Sequence, residues 1–348
     1  MHAFVMSDIG RGRRERVSDP TPRPGDVIIA PAYSGLCGTD IHMFNEGTLT
    51  RQDALPVVMG HEFVGTVVEL GPAHPHREPH GLHVGETVAV EPMLPCNACT
   101  QCHAGRFNLC SEWSHLGILE NGCWADYVRV PAGRASRLPD GVSTYAAALA
   151  EPLACAVNFV MHRGALKPGE NVLILGAGAI GLLSACMARA AGAGLVIVSE
   201  PQQQRRESAR KVGADLTLDP LTQDIDDAIR TAVPKAAGVD LIIEATGSKS
   251  AVAQAITLAA PGSRVVLSGL GAEGTTPIDT TAIVTKELSV LGGFASRRAM
   301  NTGLQAIAAG HVDTDHLVTS IRPWADAESA MRDALVDPAT CKILFSHN

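Results

Sequence analysis

Charged residues are scarce in this chain, at 18%, and basic ones are outnumbered, 28 Lys and Arg against 36 Asp and Glu, for a net charge of −8. A low charged fraction beside 46% hydrophobic residues excludes a disordered chain. The negative balance argues against non-specific binding to nucleic acid or an anionic membrane surface, since both need a basic face. Aromatic residues reach only 4%, which points away from a pocket built for a large planar ring. Internal repeats and low-complexity tracts are absent. A secretory signal is not apparent either, because the basic run Arg11-Gly12-Arg13-Arg14 follows the short apolar stretch Met1 to Ile9 instead of preceding it. One apolar run, Val172 to Ser199, carries a single charge at Arg189 and is long enough to span a bilayer. Gly176, Gly178, Gly181, Gly192 and Gly194 cut it into strand, helix and strand lengths, so it reads as a soluble unit.

What is present is more telling. Nine cysteines without a secretory signal imply a reducing, cytoplasmic setting, where thiols bind metal or do chemistry. A chain of 348 residues exceeds the usual size of one domain, so two are expected. Up to about residue 150 the sequence is rich in Gly, Pro and short β-branched runs, such as Val27-Ile28-Ile29-Ala30, Phe63 to Leu70 and Thr87 to Val90, and reads as a twisted all-β unit. From about Ala154, strand-like runs (Val172–Leu175, Leu195–Val198, Leu241–Ile243, Arg264–Leu267, Leu288–Leu291) alternate with helical ones (Ala179–Ala191, Gln202–Val212, Ser250–Ala259). Such alternation predicts a parallel sheet with helices on both faces, an α/β class. A tail after about Phe294 holds one predicted helix, Met300 to Ala309, and ends in the apolar run Ile343-Leu344-Phe345, expected to return to the first sheet. The expected domains are therefore 1–153 with 294–348, and 154–293. His74, His76, His80 and His83 crowd the Pro72 to Val84 loop; without an accompanying Cys or carboxylate pattern they read as a solvated connection.

Gly176-Ala177-Gly178-Ala179-Ile180-Gly181 lies between a predicted strand and a predicted helix, the context that a G-x-G-x-x-G dinucleotide turn requires. Gly176 would make the tight turn, Gly178 would let the backbone reach the pyrophosphate, and Gly181 would pack helix on strand. The helix N-terminus offers free N–H groups and partial positive charge to that phosphate. Glu200 ends the next strand at the spacing of a ribose-binding carboxylate, which favours NAD over NADP by repelling a 2′-phosphate. Arg205 and Arg206 weaken that preference, because an arginine there could reach a phosphate.

Cys96, Cys99, Cys102 and Cys110, spaced C-x2-C-x2-C-x7-C, suit a closed tetrahedral zinc site that staples a loop. An iron–sulfur cluster or a disulfide pair are the alternatives, and the spacing departs from the usual ferredoxin pattern. A second set of metal-binding residue types is scattered among turns: Cys37 in Gly35 to His42, His61 and Glu62 after Gly60, and Glu151 before Pro152.

Together these segments resemble the medium-chain, zinc-containing alcohol dehydrogenase superfamily, over nearly the whole chain. Glu151-Pro152-Leu153 looks like its polyol (sorbitol-type) branch, whereas Cys37 to His42 and the spacing of Ile180, Glu200 and Arg205 look equally like bacterial threonine dehydrogenases. The resemblance implies a GroES-like β-rich catalytic domain beside a doubly wound Rossmann domain. It implies one catalytic zinc on Cys37, His61 and Glu62, with Glu151 a direct ligand or bonded through water, and one structural zinc on the four clustered cysteines. Thr39 and His42 would relay the substrate proton; Gly176, Gly178, Ile180, Gly181, Glu200, Arg205, Leu270 and Gly293 would contact NAD. Bound zinc lowers the pKa of water from about 16 to about 7, on the order of 12 kcal/mol, so a secondary alcohol could lose its proton and then hydride to give a ketone. A homotetramer, or a homodimer, acting on a small-molecule alcohol is implied as well. The competing readings are an L-threonine 3-dehydrogenase-like enzyme for amino alcohols and a silent NAD-binding sensor. Phe44, Trp113, Trp124 and Phe294 are candidates for the substrate pocket.

Overall fold

β-Branched runs with alternating burial shape the first unit. The strand Asp26–Gly35, which contains Val27-Ile28-Ile29, pairs antiparallel with Glu62–Leu70, and on its other side with Val128–Pro131 and Lys342–Ser346. Thr87–Val90 and Ala135–Arg137 extend this sheet past Glu62–Leu70, while Val318–Pro323 lies parallel to Lys342–Ser346. The end of the chain thus closes the sheet begun near its start. Arg11–Arg16, His2–Asp8 and Val57–Val58 make a second, three-stranded sheet. Phe4, Met59, Trp124 and Phe345 fill the core, with Trp124 edge-on to Phe4 at 5.9 Å and to Phe345 at 5.2 Å. Trp124 is wholly buried in this packing and so is a core residue, not pocket lining.

The computed structural model describes residues 1–74, 81–233, 238–271, 275–337 and 339–347. It folds as two compact units: Met1–Glu151 with Gly303–Ala308 and Val318–Asn348, and Pro152–Thr302 with Ala309–Leu317. Part of the His-containing loop, including His76 and His80, lies outside the described residues.

The second unit is a six-stranded, all-parallel sheet. Its strands are, in chain order, Val172–Leu175, Val196–Ser199, Leu216–Leu218, Val239–Glu244, Ala259–Leu267 and Ser289–Gly292, and in space they run 3-2-1-4-5-6. That order reverses direction between the first and fourth strands, where a crevice forms outside their carboxyl ends. Helices Ala179–Ala190, Gln203–Lys211 and Lys249–Leu258 pack on the sheet. The apolar run Val172 to Ser199 is consumed by two of these strands and the helix between them. Among the described residues no helix is long and apolar enough to cross a membrane.

The tail departs from expectation. Beyond Phe294 it holds two helices, Met300–Ala308 and Ala327–Val336, where the sequence predicts one. The second is short, follows Pro323, and buries Ala327, Ala330 and Met331, small or flexible residues that give little periodic hydrophobic signal. If the terminal strand completes the core, Phe345→Ala should lower stability by about 3–5 kcal/mol, read as a fall in the urea midpoint of unfolding.

Candidate active site

The clustered cysteines come together as their spacing requires. The Sγ of Cys99 lies 3.6 Å from that of Cys102 and 3.9 Å from that of Cys110, and those of Cys96 and Cys102 are 4.0 Å apart. Four thiolates at about 2.3 Å from a tetrahedral zinc stand about 3.8 Å from one another, so the set fits that ion. Backbone N–H groups of Ala98 and Cys99 donate to Cys96 Sγ, and those of Cys96 and Glu112 to Cys110 Sγ, the environment in which sulfur carries negative charge. Hydrogen bonds from the backbone of Cys102 and Ser111 draw the Cys99 thiol down to about 5, while burial and the neighbouring thiols push Cys102 up to about 12, as expected of sulfurs crowded together. All four cysteines are free thiols, so the disulfide alternative drops out.

Cys37, His61 and Glu62 form a second set, their donor atoms within 4.8 Å of one another although 25 positions or fewer in sequence separate them unevenly. Local geometry positions each. Cys37 caps the helix Gly38–Glu46: its Sγ accepts from Thr39 N–H, and Asp40 reaches back to accept from Cys37 N–H at 2.9 Å. Asp40 Oδ1 also lies 3.1 Å from His61 Nδ1. Facing an acceptor, Nδ1 carries the proton, and Nε2 is left with the lone pair that a metal needs. Burial opposes charge on His61, but the adjacent Asp40 carboxylate outweighs it and holds the imidazole well above its ordinary pKa, so an ion that takes the Nε2 lone pair displaces a proton from it. Glu62 opens the strand Glu62–Leu70 and is ion-paired with Lys342.

His115 packs edge-on to His61, ring centroids 5.3 Å apart, and donates from Nδ1 to the Leu116 carbonyl. Burial, with the nearby charge of His61, pushes His115 down to about 3, which favours the neutral ring. Glu151 is buried and interacts electrostatically with Lys342, but it stands outside the close set of three. Thr39 and His42 lie one turn apart on the helix that Cys37 caps; His42 is exposed and its Nδ1 is 3.2 Å from both Glu46 carboxylate oxygens. Asp40, His115 and Lys342 are the members that reading the sequence missed. The Cys-x-x-Asp spacing fits a capping pattern once the helix start is known, and Lys342 stands out once its strand is known to be buried. Nothing local marks His115.

In the second unit the glycine turn sits at the crevice. Gly176 has φ 96°, and a Cβ on Gly181 would fall on the Gly176 carbonyl oxygen, so both positions exclude side chains. Glu200 is buried, accepting from Ala177 N–H at 2.8 Å and Gln202 N–H at 2.9 Å, which ties the acidic residue to the turn itself. Arg206 donates to the carbonyls of Glu200 and Pro201 and pairs with Asp219 at 3.3 Å, so its guanidinium is committed within the protein. Ile180 and Arg205 are half-buried and Leu270 is exposed, and a Cβ on Gly293 would meet the Phe159 ring at 2.6 Å. Gly181→Val should therefore abolish dinucleotide binding, measured by fluorescence titration with a reduced nicotinamide dinucleotide, while the four-cysteine metal is retained.

Comparison with known proteins agrees with this geometry. Residues 23–140 match the model of the alcohol dehydrogenase GroES-like domain, and residues 179–309 that of zinc-binding dehydrogenases. A probable D-xylulose reductase A of Aspergillus fumigatus is 33% identical over 339 residues, covering 95% of this chain and 92% of that one. The L-threonine 3-dehydrogenase of Pyrococcus horikoshii is 35% identical over 351 residues, covering 99% and 98%. Among solved structures, an alcohol dehydrogenase of Escherichia coli complexed with NADH superposes with a TM-score of 0.90 at 27% identity, covering 99% of both chains. A putative zinc-binding dehydrogenase of Sinorhizobium meliloti bound to NADP does so at 0.89 and 34%, covering 99% and 98%. Two domain models in the expected order, relatives matched over nearly their whole length, and two clusters of residues that could hold metal converge, and the chain belongs to the zinc-containing medium-chain alcohol dehydrogenase superfamily.

Proposed function

We propose that this dehydrogenase oxidises a secondary alcohol of the polyol, sugar-alcohol or vicinal-diol class to the ketone, with NAD as its preferred cofactor. The observation that carries the reading is the convergence of half-buried Cys37 with buried His61 and Glu62 in a mixed sulfur, nitrogen and oxygen set, in a chain whose other unit carries a glycine turn tied to Glu200. A three-residue set leaves a position open for substrate, as catalytic zinc requires, whereas the closed four-cysteine set suits a structural ion. When bound there, zinc supplies Lewis-acid activation of the alcohol oxygen.

The chain's own groups do the rest. Cys37, His61 and Glu62 hold the ion, and Glu151 either adds a ligand or bonds through water. Thr39 takes the hydroxyl proton and passes it towards His42, whose exposed ring and carboxylate partner Glu46 open a way to solvent. Glu200 receives the ribose hydroxyls, with Ile180, Arg205, Leu270 and Gly293 around the cofactor. The buried Glu200 carboxylate and the commitment of Arg206 to Asp219 support NAD, because a 2′-phosphate would meet negative charge and no free Arg206. A homotetramer rests on the family resemblance, and a cytoplasmic location on the nine cysteines, read as thiols of a reducing compartment.

The threonine dehydrogenase-type reading is favoured by the 35% identity to such an enzyme. Polyols, vicinal diols, amino alcohols and L-threonine, each with NAD and NADP, separate the two: turnover confined to amino alcohols would replace the polyol reading. NAD should exceed NADP in kcat/KM by at least about tenfold, the equivalent of about 1.4 kcal/mol. Thr39→Val should cut turnover by at least about a hundredfold, the scale of a lost proton-transfer group, with zinc content unchanged; near-normal turnover would remove Thr39 from the relay.

A further inference from the structure

Lys342 is out of place by composition. It leads the strand Lys342–Ser346, ahead of the buried Ile343, Leu344 and Phe345, and is itself only 2% exposed. Arg134 and Lys342 are the buried lysine and arginine among the described residues, and a buried ammonium is tolerated only when it is paired and hydrogen-bonded. Lys342 Nζ meets both conditions: it donates to the Leu36 carbonyl at 3.0 Å and forms an ion pair with Glu62 Oε2. Burial pushes the ammonium down, but the charges of Glu62 and Cys37, the Glu62 hydrogen bond and the charge of Glu151 outweigh it and hold it above its ordinary value.

The backbone opposite is shaped for this pair. Gly35 stands across from Glu62 in one ladder and from Leu344 in the other. A Cβ at Gly35 would fall on Glu62 Oε2 and come within 2.9 Å of Lys342 Cε and Nζ. The carboxylate and the ammonium therefore share the space that a side chain would take, and the Leu36 carbonyl fixes the ammonium between two strands that are 280 positions apart in sequence.

The geometry points to Lys342 as a positioning residue of the metal centre: it holds one oxygen of Glu62 over Gly35, so that only the other is presented to an ion bound with Cys37 and His61. This rests on the reading of those three residues as metal ligands. A partner that orients a ligand is worth about 10–100-fold in metal affinity, whereas a lysine that merely fills the core would leave that affinity alone.

The test titrates purified, zinc-loaded protein with a competing chelator and counts zinc retained per chain, the four-cysteine ion serving as the internal standard. Lys342→Gln should weaken the other site by about 10–100-fold while the four-cysteine zinc and binding of reduced cofactor persist. Lys342→Arg should restore most of the loss. In a Glu62→Gln background, Lys342→Gln should add nothing further, because its action runs through that carboxylate. Gly35→Ala should reproduce the weakening by displacing the carboxylate with both charges intact, which keeps the test decisive if Lys342→Gln does not fold. Wild-type zinc affinity in Lys342→Gln or in Gly35→Ala would overturn the assignment. If the wild-type chain itself holds only the four-cysteine zinc, the metal-ligand reading fails first and the role of Lys342 fails with it.

Discussion

A thiol, an imidazole and a carboxylate crowded within 4.8 Å inside an apolar unit make a demand that the remaining structure answers. Anionic groups taken out of water are costly unless positive charge or hydrogen-bond donors meet them. The two anionic groups have such partners, the Thr39 N–H for Cys37 and Lys342 for Glu62, while His61 is oriented by the Asp40 carboxylate. Those partners come from the start of the helix Gly38–Glu46 and the start of the strand Lys342–Ser346, so the centre is complete only when that strand is in place. The terminal strand pairs with Asp26–Gly35 and serves two ends. It delivers Phe345 to the core and Lys342 to the centre, one packing residue and one charge on the same short element.

The dinucleotide turn obeys a different logic. Its parts are consecutive in sequence, and its tolerances are steric: Gly181 has no room for a Cβ against Gly176, and the positive φ of Gly176 is itself a glycine conformation. Glu200 lies 23 positions from Ala177 yet is bound to its N–H, so the residue proposed to receive the ribose is also part of what shapes the turn. Position at the strand-order reversal then follows from topology, because the first and fourth strands are paired neighbours whose following connections run to opposite sides of the sheet.

That contrast sets how much was legible beforehand. The alternation of strands and helices from Val172 to Leu291, the glycine turn and the four clustered cysteines could be read because each is a local pattern with a local cause. The open metal set was legible only as scattered residue types, and resemblance to a family gathered them. Asp40 escaped because its work as a cap and as a partner of His61 is visible only once the helix start is placed. Lys342 and His115 escaped because burial, not spacing, gives them their roles, and burial is a tertiary property. The helix Ala327–Val336 was missed for a related reason, since its buried face is largely alanine. Trp124 was misjudged in the other direction: an aromatic near turns resembles pocket lining, but Phe4 and Phe345 enclose it.

Anomalous diffraction from crystals of the purified protein at the zinc absorption edge bears most directly on the central claim. The account requires two peaks in each chain, one amid Cys96, Cys99, Cys102 and Cys110 and one bounded by Cys37, His61 and Glu62. A single peak at the cysteines, with the second position empty in fully active protein, would contradict it.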